Sequence, residues 1–128
     1  MIRGPTGHRL APSFDHASCL GFLLSDDQRR MHLTTSDTNQ TVAAYARRAA
    51  SKFASRPTLL RLTIDALALA SIPAQRLWMA AVEATSELSE ITDRVPEDRM
   101  SATAKQFAAA LYRESHQVLS HAIRTMEP

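Results

Sequence analysis

The chain has 128 residues, a formal net charge of +2, and 45% hydrophobic but only 5% aromatic residues. A chain of this length buries a core of its own, so disulfides and metal ions are not required for folding. The small charge gives no general support for nucleic-acid binding. The single cysteine excludes an internal disulfide and favours a reducing, cytoplasmic compartment. No apolar run approaches the roughly 20 residues that a transmembrane helix needs.

Ala and Leu supply most of the hydrophobic residues, which is typical of helices that pack on helices. All three glycines, Gly4, Gly7 and Gly21, lie near the start, and more than a hundred consecutive residues follow without one. Helices tolerate such a composition, whereas tight hairpins favour glycine. The composition therefore predicts an all-α fold, arranged as an antiparallel bundle of three or four helices.

Residues 1–36 differ from the rest of the chain, because they hold all the glycines and show no sustained apolar period. We expect a flexible N-terminal tail here, with an apolar patch at 20–24 that docks on a helical bundle domain spanning 37–128. The alternative is a short helix from Ser25 or Asp26 to about Leu33, since Ser-Asp-Asp is a suitable helix cap.

The first helix that the apolar spacing predicts begins near Asp37 or Thr38, either of which can cap it. It ends before Pro57, whose ring disfavours helical dihedrals at the preceding residue. Its apolar residues, at spacings of three and four, are Val42, Ala46, Ala49 and Phe53.

A longer apolar seam runs from 59 to 95, and we expect the bundle to be organised around it. Its residues are small as often as they are large, so a second helix can approach closely. Pro73 interrupts the seam, which leaves either one kinked helix or two helices with Ser71 as the second N-cap. The continuity of the seam favours a long Pro-kinked central helix. Its members are Leu60, Thr63, Leu67, Ala70, Ala74, Leu77, Ala81, Ala84, Leu88, Ile91 and Val95.

The last helix follows Val95, because Pro-Glu-Asp at 96–98 is typical of an acidic first turn. It has one clear apolar face, in which Ser115 is the only polar residue. The face consists of Met100, Ala104, Phe107, Ala108, Leu111, Val118, Leu119, Ala122 and Met126.

Two groups of residues have part of the pattern of a metal site. Glu83, Glu87 and Glu90 share one side of a helix, but the histidines that a di-iron site needs are missing. His8, His16 and Cys19 include a His-x-x-Cys pair with a zinc-like spacing, but there is no second cysteine. The carboxylates are interpreted as a solvated face, and we expect no metal and no cofactor.

A nucleophilic site needs a Ser or Cys beside a His and a carboxylate. Glu114, Ser115 and His116 are adjacent in the sequence, but consecutive helical residues point apart and cannot form such a relay. His116 and His121 lie about 140° apart on a helix and are expected at the surface. No Gly-rich phosphate loop is present. The sequence therefore does not predict an enzyme.

The most pronounced charge feature is a basic run, with no acidic residue between Asp37 and Asp65. Such a run can bind phosphates, which makes a small nucleic-acid-binding regulator the alternative function. The acidic residues at 83–98 could instead neutralise it within the bundle or across a dimer. The candidate anion-binding residues are Arg47, Arg48, Lys52, Arg56 and Arg61.

Apolar residues beside the seam widen the hydrophobic arc of the central segment. They either fill the core of the bundle or form a surface that binds a partner or a second copy, because so wide an arc exceeds what one domain readily covers. We expect a homo-oligomer. The candidate interaction residues are Leu59, Leu62, Leu69, Trp78 and Val82.

Residues 71–126 resemble phasins, the small helical proteins that coat polyester storage granules in bacteria. The resemblance lies in Leu77-Trp78-Met79 within an Ala- and Glu-rich helix, the connection at 95–98, and the helix through Lys105-Gln106-Phe107. It implies a non-catalytic, self-associating granule protein with apolar helical edges against the polymer. The sequence as a whole thus predicts a helical protein that binds a hydrophobic surface or a partner helix.

Overall fold

The computed structural model describes residues 2–4, 7–9, 20–50 and 58–125. Within these ranges it has five α-helices, so the all-α class is confirmed, but with more helices than the three or four predicted. A hairpin that the sequence did not predict pairs Ile2 with Arg9 and Gly4 with Gly7 in antiparallel register. The elements in order are β1 (Ile2–Gly4), β2 (Gly7–Arg9), α1 (Asp26–Thr34), α2 (Val42–Arg47), α3 (Leu59–Ala68), α4 (Ile72–Ala84), a 3₁₀ helix (Ser86–Arg94) and α5 (Ala102–Arg124).

Helix α1 is the short helix that the sequence left as an alternative. Ser25 and Gln28 form a capping box, each side chain accepting a hydrogen bond from the backbone N–H of the other. The helix packs on α5 and on α2. The prediction of a flexible tail is therefore wrong for residues 20–36, because α1 contributes to the packed core, and it stays a prediction for residues outside the described ranges.

The turn before α1 depends on Gly21, which has a positive φ of 75°. A Cβ at this position would overlap the ring of Phe107. The side chain of Arg29 donates hydrogen bonds to the carbonyl oxygens of Gly21 and Phe22, at 3.1 and 3.2 Å. Glycine is needed here because both the backbone conformation and the close approach exclude a side chain.

Helix α2 is shorter than predicted and begins later. Asp37 accepts hydrogen bonds from the backbone of Asn39 and Gln40 and so forms a turn, and the N-cap is Thr41, whose hydroxyl accepts from the N–H of Ala44. The predicted continuation through Phe53 lies outside the described residues.

The prediction of a long Pro-kinked central helix is wrong, because α3 and α4 are two separate helices. Ser71 is the N-cap residue of α4, and Pro73 lies in its first turn, where the N–H that proline lacks has no helical partner. The side chain of Gln75 donates to the carbonyl oxygens of Leu67 and Ala70 at 3.0 and 3.1 Å. These bonds satisfy the end of α3 and fix the corner between the helices.

Helix α5 is the central element, in place of the predicted seam, because it contacts α1, α2, α3, α4 and the 3₁₀ helix. Its apolar face is confirmed at the buried residues Ala104, Phe107, Ala108, Leu111 and Ala122. In the seam, by contrast, Leu67 is buried, while the second half faces solvent at Leu77, Ala81, Ala84, Leu88 and Ile91.

The hydrophobic core lies where α1, α2 and α5 meet. Val42, Phe107 and Leu111 are its buried residues. The ring of Tyr45 packs edge-on against that of Phe107, with the ring centroids 5.5 Å apart. The ring centroids of His32 and Tyr45 are 5.3 Å apart. The largest side chain in the core therefore belongs to α5 and is enclosed by the first two helices.

Candidate interaction surface

Five large apolar side chains on α3, at its C-cap and on different sides of α4 are more than half exposed, and we call them together the α3–α4 apolar surface. Leu69 is 90% exposed and Leu77 71%. Scattered exposed leucines are ordinary on proteins, but several on two consecutive helices are typical of a binding surface. Its members are Leu59, Leu69, Ile72, Leu77 and Trp78.

The orientation of α4 follows from which of its faces packs on the rest of the molecule. Gln75, Met79 and Val82 fall within about 60° of one another around the helix and are half-buried. The imidazole Nε2 of His116 donates a hydrogen bond to the carbonyl oxygen of Val82 at 2.8 Å. The hydroxyl of Tyr112 donates one to the backbone carbonyl oxygen of Thr85 at 2.7 Å. These two hydrogen bonds from α5 hold one face of α4 inward and turn the opposite face to solvent.

The outward face of α4 consists of five exposed residues within an arc of about 100° that contains no polar side chain. Arg76 and Glu83 lie along one edge of this face, and Trp78 lies beyond the other. The five residues are Pro73, Leu77, Ala80, Ala81 and Ala84.

Of the predicted interaction residues, Leu59, Leu69 and Trp78 are exposed, and Leu62 and Val82 are half-buried. The apolar spacing did not identify Ile72 as an interaction residue, and it placed Leu77 in the seam. The inward face of α4 is harder to recognise from its apolar residues, because Gln75 interrupts them. That glutamine is used at the helix corner, which the apolar period alone does not reveal.

A cavity of about 450 Å³ lies between α2, α3 and α5. Leu59 lines it, so this member of the α3–α4 apolar surface borders the cavity as well as solvent. The other lining residues are Ala46, Arg47, Ala49, Thr58, Leu60, Thr63, Ser115, Val118 and Leu119.

Three of the five predicted anion-binding residues lie within the described ranges. Arg47 and Arg48 are exposed at the end of α2, where the Arg48 guanidinium donates to the carbonyl oxygen of Asn39. Arg61, on α3, forms an ion pair with Asp65 at 3.0 Å. The remaining two predicted residues, Lys52 and Arg56, lie outside the described residues.

The histidine and serine residues that were considered for a nucleophilic site lie on α5. His116 is half-buried and bonds to α4, so its prediction as a surface residue is wrong, whereas His121 is exposed. Ser115 is exposed on α5. Across the part of the chain that the structure describes, no three His, Cys, Asp or Glu side chains lie close enough to share a metal ion.

None of the described helices is long and apolar enough to cross a membrane. No protein-family model matches the chain, and neither the curated proteins nor the solved structures include a significant match.

Proposed function

We propose that this chain is a non-catalytic helical interaction protein, which binds a partner helix or a hydrophobic surface through its α3–α4 apolar surface. In this proposal the helices act as a cytoplasmic bundle around α5, and the segment from α3 to α4 carries the exposed apolar residues that a partner covers. The supporting observation is the exposure of five large apolar side chains on consecutive helices.

The energetics of burial favour such a partner. Complete burial of a Leu or Ile side chain contributes about 1.5–3 kcal/mol, and a partner that covers several of them gains a multiple of this. The same chain encloses Phe107 completely, so the exposed residues are not explained by a general lack of packing.

The most concrete form of the proposal is association with polyester storage granules, as the resemblance to phasins implies. The resembling region, 71–126, contains α4, the 3₁₀ helix and α5. It thus includes α4, whose outward apolar face would lie against the polymer.

The test is flotation of the purified full chain with protein-free polyester granules and with triglyceride droplets, at low and high salt. We expect binding that survives high salt, because apolar contacts are not screened. Trp78 is the only tryptophan, so its fluorescence emission should shift to shorter wavelength on binding. Leu69→Asp should reduce the bound fraction about tenfold or more.

The matched control is Leu23→Asp, because Leu23 is 83% exposed but lies in the turn before α1. This variant should bind as the unmodified chain does. Absence of binding and of a fluorescence shift would contradict the granule form of the proposal. Binding to duplex DNA that weakens steeply with salt and requires Arg47 and Arg48 would instead favour the nucleic-acid-binding alternative.

A further inference from the structure

We propose that the outward face of α4 is the docking site of a second copy of this chain, with the two α4 helices antiparallel across a two-fold axis. The inference rests on the proposed function and names one partner for that surface. It is carried by the apolar composition of this face together with the charges along its edge.

The composition of the face suits close packing of two helices. Leu77 is 71% exposed and is the only large side chain in the arc. The alanines at 80, 81 and 84 allow the backbones to approach closely, so that Leu77 of each copy packs over the small residues of the other. Each contact is made twice, because a two-fold interface is self-complementary.

The charged edge selects the orientation. Arg76 and Glu83 lie about 20° apart around the helix, but two turns, or about 10 Å, separate them along its axis. Within one copy they are therefore too far apart to pair. In an antiparallel pair the same edges meet, so Arg76 of each copy faces Glu83 of the other.

A parallel pair would lose this complementarity. Its two-fold axis would bring the edge with Arg76 and Glu83 of one copy against the opposite edge of the other, beyond which Trp78 lies. The charges then gain no partner of opposite sign, and the antiparallel arrangement is favoured.

The interface is of modest size. A helix of 13 residues is about 20 Å long, and a pair of such helices buries less than the about 800 Å² per partner of a standard interface. We therefore expect a reversible dimer, whose population rises with protein concentration.

The first experiment is sedimentation velocity of the full chain over a wide concentration range. The expected result is a monomer–dimer equilibrium that Leu77→Asp abolishes and Leu23→Asp leaves unchanged. Because Leu77 is exposed, the circular dichroism of Leu77→Asp should remain that of the folded monomer. A monomer at all concentrations, or a dimer that persists in Leu77→Asp, would overturn the inference.

The second experiment tests the ion pairs by charge exchange. Arg76→Glu and Glu83→Arg should each weaken the dimer severalfold, because each brings like charges together twice. The double variant restores opposite charges and should recover most of the lost affinity, and high salt should reduce all three differences. Additive losses in the double variant would contradict the pairing of these residues.

The third experiment tests the orientation by cysteine cross-linking in a Cys19→Ser background. Ala80→Cys lies near the proposed two-fold axis and should form a disulfide with the same residue of the second copy under mild oxidation. Ala84→Cys should not, because antiparallel helices carry these two residues to opposite sides of the axis. Equal cross-linking of both variants would indicate a parallel pair and overturn the proposal.

These outcomes are separable from the test of the proposed function. Granule or droplet binding that requires Leu69 in a strictly monomeric chain would sustain the proposed function and refute this inference. A Leu77-dependent antiparallel dimer without granule binding would sustain the inference and remove only the hydrophobic-surface form of the function.

Discussion

Two regions of the molecule use apolar residues in opposite ways. Around Phe107, side chains from α1 and α2 enclose one face of α5 and exclude water from it. On α4, hydrogen bonds from Tyr112 and His116 to backbone oxygens fix the helix, while its apolar face stays in water. The first region provides stability within one chain. The second keeps apolar area that a partner can bury, which is the physical basis of the proposed interaction.

The largest difference between the two regions is expected when one large apolar residue is truncated in each. Phe107→Ala should lower the free energy of unfolding by about 3–5 kcal/mol, because it removes a fully buried ring and leaves a cavity. Leu77→Ala should change it by less than about 0.5 kcal/mol in the monomer, since Leu77 is exposed. Urea denaturation at low protein concentration measures both. Equal losses would show that the α4 face is covered within one chain.

A smaller but substantial effect is expected at Gly21. Gly21→Ala should destabilise the protein by about 2–4 kcal/mol, because it combines a left-handed backbone conformation with overlap between Cβ and Phe107. Thermal unfolding would measure the loss, with the exposed loop substitution Ser36→Ala as control. An unaffected midpoint would mean that the turn before α1 does not pack tightly against Phe107 of α5.

The smallest effect is a pH dependence at the junction of α1 and α5. A hydrogen bond from the Ser101 side chain, and secondly one from Arg29, hold the pKa of Asp26 below its ordinary value of 3.8. A lowered pKa in the folded state means that the carboxylate stabilises the protein above about pH 4, and this contribution is lost as the pH falls through the lowered value.

The check is thermal unfolding of the unmodified chain and Asp26→Asn at neutral and acidic pH. The unmodified chain should be slightly more stable at neutral pH, and the difference should shrink in acid. The effect is small because the Asp26 side chain is 39% exposed and is therefore screened by solvent. If the difference in stability between the two proteins did not change with pH, the ionisation of Asp26 would not be its cause.

The sequence was most informative where one face of a helix is apolar and the other is polar. Helix α5 has this pattern, and its buried residues agree with the predicted face from Ala104 to Ala122. It was least informative for α3 and α4, which carry apolar residues on more than one side. The helical period gives the spacing along each face, but it does not decide which of two apolar faces turns inward.

Local chemistry left a similar choice at Pro73. Proline is compatible with a kink inside one helix and with the first turn of a new one. The side chain of Gln75, which reaches back to the end of α3, accompanies the second solution. The two hydrogen bonds span eight and five residues and have no signature in the apolar pattern.

Residues within a few positions of one another were enough to predict the helical class and the apolar face of α5, and they left a short helix capped near Ser25 as one of two outcomes for the N-terminal region. The central position of α5, the separation of α3 from α4 and the exposure of Leu77 became known from the three-dimensional arrangement of the helices. These outcomes depend on contacts between distant segments, such as the bonds from His116 and Tyr112 to the backbone of 82–85. The free energy of those contacts selects one arrangement among several that the local pattern permits equally.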